Sequence, residues 1–67
     1  MRYLFIILLI NSSGFSELAD EVYIEANKAL IAENYYDAIA KYESILNDGY
    51  ESAELYYNLG NAYYRSE

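Results

Sequence analysis

Between residues 17 and 67 the apolar side chains recur every three or four positions, the spacing of one face of an α-helix, and no alternating pattern competes for a strand. From Glu17 to Ala32 the positions Val22, Ala26, Ala29 and Leu30 follow i, i+4, i+7 and i+8. Glu17, Asp20, Glu21 and Glu25 occupy other faces or the first turns, where acids suit the helix dipole. A second helix is predicted from an N-cap at Asn34 with Asp37 at N3, and its stripe is Tyr35, Ala38, Ile39, Tyr42, Ile45 and Leu46. Gly49 can take the left-handed conformation that closes this helix, which puts Tyr50 where a Schellman turn folds back on Ile45. A third helix runs from about Ser52 to the end, with Leu55, Tyr56, Leu59, Ala62 and Tyr63 on one broad apolar face.

The first sixteen residues follow a different rule. Met1 to Tyr3 form a short basic segment, Leu4 to Ile10 are uninterruptedly apolar, and Asn11 to Ser16 are mostly small and polar. This is the order of a secretory leader, and small residues at Gly14 and Ser16 predict cleavage before Glu17, with a cut after Gly14 as the other site. The competing reading is an uncleaved membrane anchor, but seven apolar residues of helix span only about 10 Å of a hydrocarbon layer about 30 Å thick. The expected product is exported to the periplasm or cell envelope. Membrane contact is then expected only through the leader, if it stays attached.

Composition narrows the function. Eleven acids face four bases, a net charge of −7, and removal of the leader takes away Arg2 to leave eleven against three, or −8. With cations only at Arg2, Lys28, Lys41 and Arg65, the chain cannot neutralise a run of phosphates, so nucleic acid is excluded as a partner. There is no Cys or His, which removes disulfides, thiolate nucleophiles, histidine general bases and the usual zinc ligands. The serines lack both a histidine and a Gly-x-Ser-x-Gly elbow. The acids on the first helix have no calcium-loop arrangement and read as a solvated face. No catalytic residue, no metal site and no cofactor is expected, and the chain is not read as an enzyme. Yet 55% of the residues are apolar and ten are Tyr, too many for a disordered segment.

Internal similarity is more specific. With Ala19 set on Ala53, 34 residues later, Val22 falls on Tyr56, Tyr23 on Tyr57, Ala26 on Gly60, Asn27 on Asn61 and Leu30 on Tyr64. The segment from Glu54 to Arg65 reads ELYYNLGNAYYR. It resembles the first helix of a tetratricopeptide repeat (TPR), whose period is also 34 residues. Tyr56 matches the aromatic that begins that helix, Leu59 and Gly60 the Leu-Gly pair, and Tyr63 the aromatic that follows. Tyr35, Ala38, Tyr42 and Ile45 match the second helix of the preceding repeat. Glu25, Ala29, Glu33 and Tyr50 depart from the family pattern, so the first repeat is the weaker match. With its exported leader, the chain resembles the TPR proteins of the Bat aerotolerance operons.

The resemblance implies an all-α fold: a signal peptide over residues 1–16, a TPR-type antiparallel hairpin over 17–52, and the first helix of a second, incomplete repeat over 53–67. The implied repeat core is Val22, Ala26, Ala38, Tyr42, Ile45, Tyr56, Leu59, Gly60 and Tyr63. Ala26 or Gly60 and Ala38 would let helices approach closely, with Tyr56, Leu59 and Tyr63 covering Tyr42 and Ile45. TPR arrays bind protein segments along a groove of first-helix residues, which here implies Tyr23, Asn27, Tyr57, Asn58, Asn61, Tyr64 and Arg65. Asn27 and Asn58 match the two Asn of the family's carboxylate clamp, but Tyr23 stands at its first Lys position, so a peptide C-terminus is not the expected ligand. An acidic groove prefers a basic or aromatic-rich segment. The expected function is a protein-interaction module of the bacterial envelope, as part of a longer protein; the alternatives are a truncated, non-functional product and a small membrane-anchored peptide.

Overall fold

A computed structural model describes residues 16–67, and the leader reading falls on residues outside that range apart from Ser16. The described residues form three helices: α1 (Glu17–Ile31), α2 (Tyr35–Asn47) and α3 (Ala53–Arg65). No strand occurs among them, and none of their helices is long and apolar enough to cross a membrane. The fold is all-α.

Local chemistry sets the helix ends. Ser16 and Ser52 stand in extended backbone before α1 and α3, and each hydroxyl oxygen accepts a hydrogen bond, from Ala19 N and Leu55 N respectively, both at 3.0 Å. Each satisfies one of the amides that a helix start leaves unpaired. Asn34 precedes α2 as expected but its side chain makes no cap bond. Its backbone lies at ψ 73°, away from the extended conformation that aims a cap side chain at the first turn. Instead its own N–H closes α1 by donating to Ala29 O at 2.8 Å.

Both interhelical turns are Schellman closures. At the end of α2, Tyr50 N donates to Ile45 O and Gly49 N to Leu46 O, with Gly49 at φ +95°. Tyr50 then packs against the core, as the sequence predicts. At the end of α1 the same pattern is made by Asn34 N to Ala29 O and Glu33 N to Leu30 O, and the left-handed residue is Glu33, at φ +65°.

Short turns return each helix alongside its predecessor, so α1 and α2 are antiparallel and α3 runs back along α2. Most packing is between α1 and α2, then between α2 and α3, while α1 and α3 barely meet. The core reflects this order. α1 contributes small residues, Ala19, Ala26 and Ala29, with Val22 and Leu30 half-buried. α2 contributes Ala38, Ile39, Tyr42 and Ile45, and α3 contributes Leu55, Leu59 and Ala62. Ala26 and Ala38 are fully buried, which lets a large side chain such as Tyr42 fit among the helices without separating them.

Three expected core positions lie elsewhere. Tyr56 and Tyr63 are about half exposed and Gly60 is exposed. The reason is helical phase. Leu55, Leu59 and Ala62 form one i, i+4, i+7 stripe, and Tyr56, Gly60 and Tyr63 form another displaced by one residue, about 100° around the helix. Only the first stripe faces α2. The hydroxyl of Tyr56 donates to Glu51 at 2.9 Å and that of Tyr63 donates to Glu43, so both phenols are tied to carboxylates at the surface.

Candidate functional site: a tyrosine and asparagine groove between α1 and α3

Because both α1 and α3 turn their alanine and leucine stripes toward α2, neighbouring faces of the two helices are left open beside each other. A groove of about 620 Å³ lies between them, lined by Tyr23, Asn27, Ala53, Glu54, Tyr57 and Asn58. Tyr23 and Asn27 are four residues apart on α1, and Glu54 and Asn58 four apart on α3, so each pair shares one helix face.

A hydrogen-bonded network holds the floor. The fully buried Tyr42 of α2 donates its hydroxyl to Asn27 Oδ1 at 2.5 Å. Asn58 Nδ2 donates to Tyr23 Oη at 2.8 Å, and more weakly to Asn27 Oδ1 at 3.4 Å. The rings of Tyr23 and Tyr42 meet with centroids 5.9 Å apart and planes tilted by 58°. Burial, and secondarily the neighbouring Tyr23, push the Tyr42 phenol above its ordinary value, so it stays a neutral donor. No buried side-chain nitrogen or oxygen among the described residues is left unsatisfied.

The network leaves part of each asparagine amide unused by the described residues: the NH₂ of Asn27 and the carbonyl of Asn58. One offers donors and the other an acceptor, the pair that an extended peptide backbone requires. The ring of Tyr57, 75% exposed at the groove edge, adds a flat apolar surface of low conformational cost, and Glu54 makes the wall acidic. Among the described residues, no Lys or Arg lines the groove.

Of the residues expected here, Tyr23, Asn27, Tyr57 and Asn58 are brought together. Asn61, Tyr64 and Arg65 are not in the lining. Tyr64 is 78% exposed, and the Arg65 guanidinium lies 5.4 Å over the ring of Tyr35, drawn toward the start of α2. The role of Tyr42 as the support of the floor was missed in the sequence. Its signal was available: a tyrosine at a core position, in place of Leu or Phe, needs a partner for its hydroxyl. No grouping of carboxylates able to hold a metal ion occurs among the described residues.

No protein-family model matches the chain, and neither the curated proteins nor the solved structures compared with it give a match.

Proposed function

We propose that this chain is a tetratricopeptide-type protein-interaction module of the bacterial cell envelope, and that the groove between α1 and α3 takes an extended protein segment. The carrying observation is the pairing of Asn27 and Asn58 across the groove, fixed by Tyr42 and Tyr23 and with amide groups to spare. Two further features support the reading: the ELYYNLGNAYYR motif of α3, and two antiparallel helix pairs formed from consecutive helices with Schellman turns between them. The leader-like order of residues 1–16 supports export. The carboxylate of Glu54 in the wall favours a segment carrying Lys or Arg.

A peptide panel read by fluorescence anisotropy tests the groove. At least one basic or aromatic-rich peptide is expected to bind, and Tyr57→Ala or Asn58→Ala to weaken it about tenfold or more, the loss expected of a contact residue near the centre of an interface. Tyr36→Ala, on an exposed part of α2, serves as the control and should change nothing. Binding that is insensitive to both groove substitutions would put the site elsewhere. The N-terminal mass of exported protein tests localisation: a product retaining Met1 would count against a cleaved leader.

A further inference from the structure

The two asparagines of the groove floor are held in one sense, and the residue beneath them sets it. Tyr42 is fully buried, and among the described residues its hydroxyl hydrogen goes to Asn27 Oδ1. Asn58 Nδ2 donates to the same oxygen at 3.4 Å and to Tyr23 Oη at 2.8 Å. Two donors thus converge on one carbonyl. Turning the Asn27 amide round would set its NH₂ against that of Asn58. Turning both amides together would restore a bond between them but leave the Tyr42 hydrogen in the core without an acceptor, a loss of a factor of about ten or more in population. The buried phenol selects between two arrangements that the asparagines alone would share.

We propose that Tyr42 is a positioning residue that fixes the polarity of the groove: α1 presents a donor, the NH₂ of Asn27, and α3 presents an acceptor, the carbonyl of Asn58. The assignment rests on the interaction reading above and names the chemistry that the groove selects. In extended backbone the N–H and C=O of one residue point to the same side, so a single residue of a bound segment can donate to Asn58 and accept from Asn27. A carboxylate offers acceptors alone. It satisfies Asn27, leaves the Asn58 carbonyl facing another acceptor, and is repelled by Glu54. The groove therefore takes an internal stretch of neutral backbone in preference to a C-terminal carboxylate.

Two substitutions of equal charge separate this polarity from its reverse. Asn27→Asp keeps an oxygen for Tyr42 and Asn58 and removes the donor that faces the groove. Stability in urea should not fall, while peptide affinity should. Asn58→Asp keeps an acceptor facing the groove but sets a carboxylate against Asn27 Oδ1 in place of a donor, so stability should fall and the folded protein should still bind. The probe is the tightest-binding peptide of the basic and aromatic-rich panel, blocked at both ends and read by anisotropy. It should bind Asn27→Asp at least about tenfold more weakly than Asn58→Asp. Each variant adds one negative charge, so the difference between them reports hydrogen-bond sense rather than net charge.

Hydrogen exchange followed by NMR tests the same polarity without a ligand and without a substitution in the groove. The side-chain amide of Asn58 should exchange with solvent at least about tenfold more slowly than that of Asn27, and Tyr42→Phe should shrink this difference. Equal binding by the two Asp variants overturns the proposal, as does an equal loss of stability. So does slower exchange at Asn27 than at Asn58, or an exchange difference unchanged in Tyr42→Phe. An unsubstituted chain that binds no peptide of the panel overturns the interaction reading and the selectivity with it, while exchange and unfolding judge the role of Tyr42 separately.

Discussion

The hydroxyl of Tyr42 donates to Asn27 Oδ1 at 2.5 Å, joining the core of α2 to the floor of the groove. One bond therefore supports the fold and, in the proposed function, the binding groove as well. Tyr42→Phe keeps the ring and removes the donor. It is expected to destabilise the fold by about 1 kcal/mol, the usual net worth of such a bond, because Asn27 Oδ1 keeps only the longer contact from Asn58. Urea unfolding followed at 222 nm measures the loss. The same variant should weaken peptide binding, because Asn27 is no longer fixed, although Tyr42 is fully buried.

Alkaline pH should act through the same residue. The Tyr42 pKa is raised above the ordinary value of about 10, first by burial and then by Tyr23. The fold thus favours the neutral phenol. Its stabilising contribution is complete below pH 10 and is lost as pH rises through the folded-state pKa, since the unfolded chain ionises more readily. Helix content should fall above pH 10 in step with tyrosinate absorbance at 295 nm, and in Tyr42→Phe this fall should be shallower. A helix signal flat to pH 12 would contradict it. Tyr56 and Tyr63 are also raised, by their hydrogen bonds to Glu51 and Glu43, and both lie at the surface.

The two Schellman turns should respond to substitution with opposite signs. Glu33 holds a left-handed conformation that suits glycine, so Glu33→Gly should stabilise by about 0.5–1 kcal/mol, the relief of strain exceeding the entropy gained by the unfolded chain. Gly49→Ala, at φ +95°, should destabilise by at least about 1 kcal/mol even though space is open around it, because conformation is the obstacle there. Paired thermal melts decide both.

Ser16 is both the last residue of the leader-like segment and the cap of α1. Cleavage after Gly14 keeps the residue whose hydroxyl caps α1, whereas cleavage before Glu17 removes it and places a charged amine at the positive end of the helix. A chain beginning at Phe15 should be about 1 kcal/mol more stable than one beginning at Glu17, and comparison of the two in thermal melts measures the difference. Ser52→Ala should cost a similar amount at α3.

Helix ends and the α1–α2 interface were legible because their causes are local: serine before a helix, glycine after one, and apolar residues at a period of 3.6. The inward face of α3 was not. Its stripes at 55-59-62 and 56-60-63 have the same spacing, and one residue of phase separates core from surface. Periodicity cannot choose between them, because the position of α2 makes the choice. Asn34 misled for a related reason: its amide is committed to closing α1 before its side chain could begin α2. In the groove, Tyr23, Asn27 and Tyr57 followed from the groove positions of the family the sequence resembles, and Asn58 from its match to the carboxylate-clamp Asn. Arg65 departed from it because the face of Tyr35 is a neighbour that only the fold creates.

The position of α2 has a consequence for how the molecule opens. With α1 and α3 joined directly by little more than the Asn58 hydrogen bonds to Tyr23 and Asn27, most of the cohesion passes through the middle helix. Detachment of α3 breaks one packed interface and the Asn58 bonds and leaves the α1–α2 hairpin intact, whereas release of α2 severs both packed interfaces at once. Backbone amides in α2 around Ile39 to Ile45 should therefore exchange with solvent deuterium most slowly, and those of α3 earliest among the three helices.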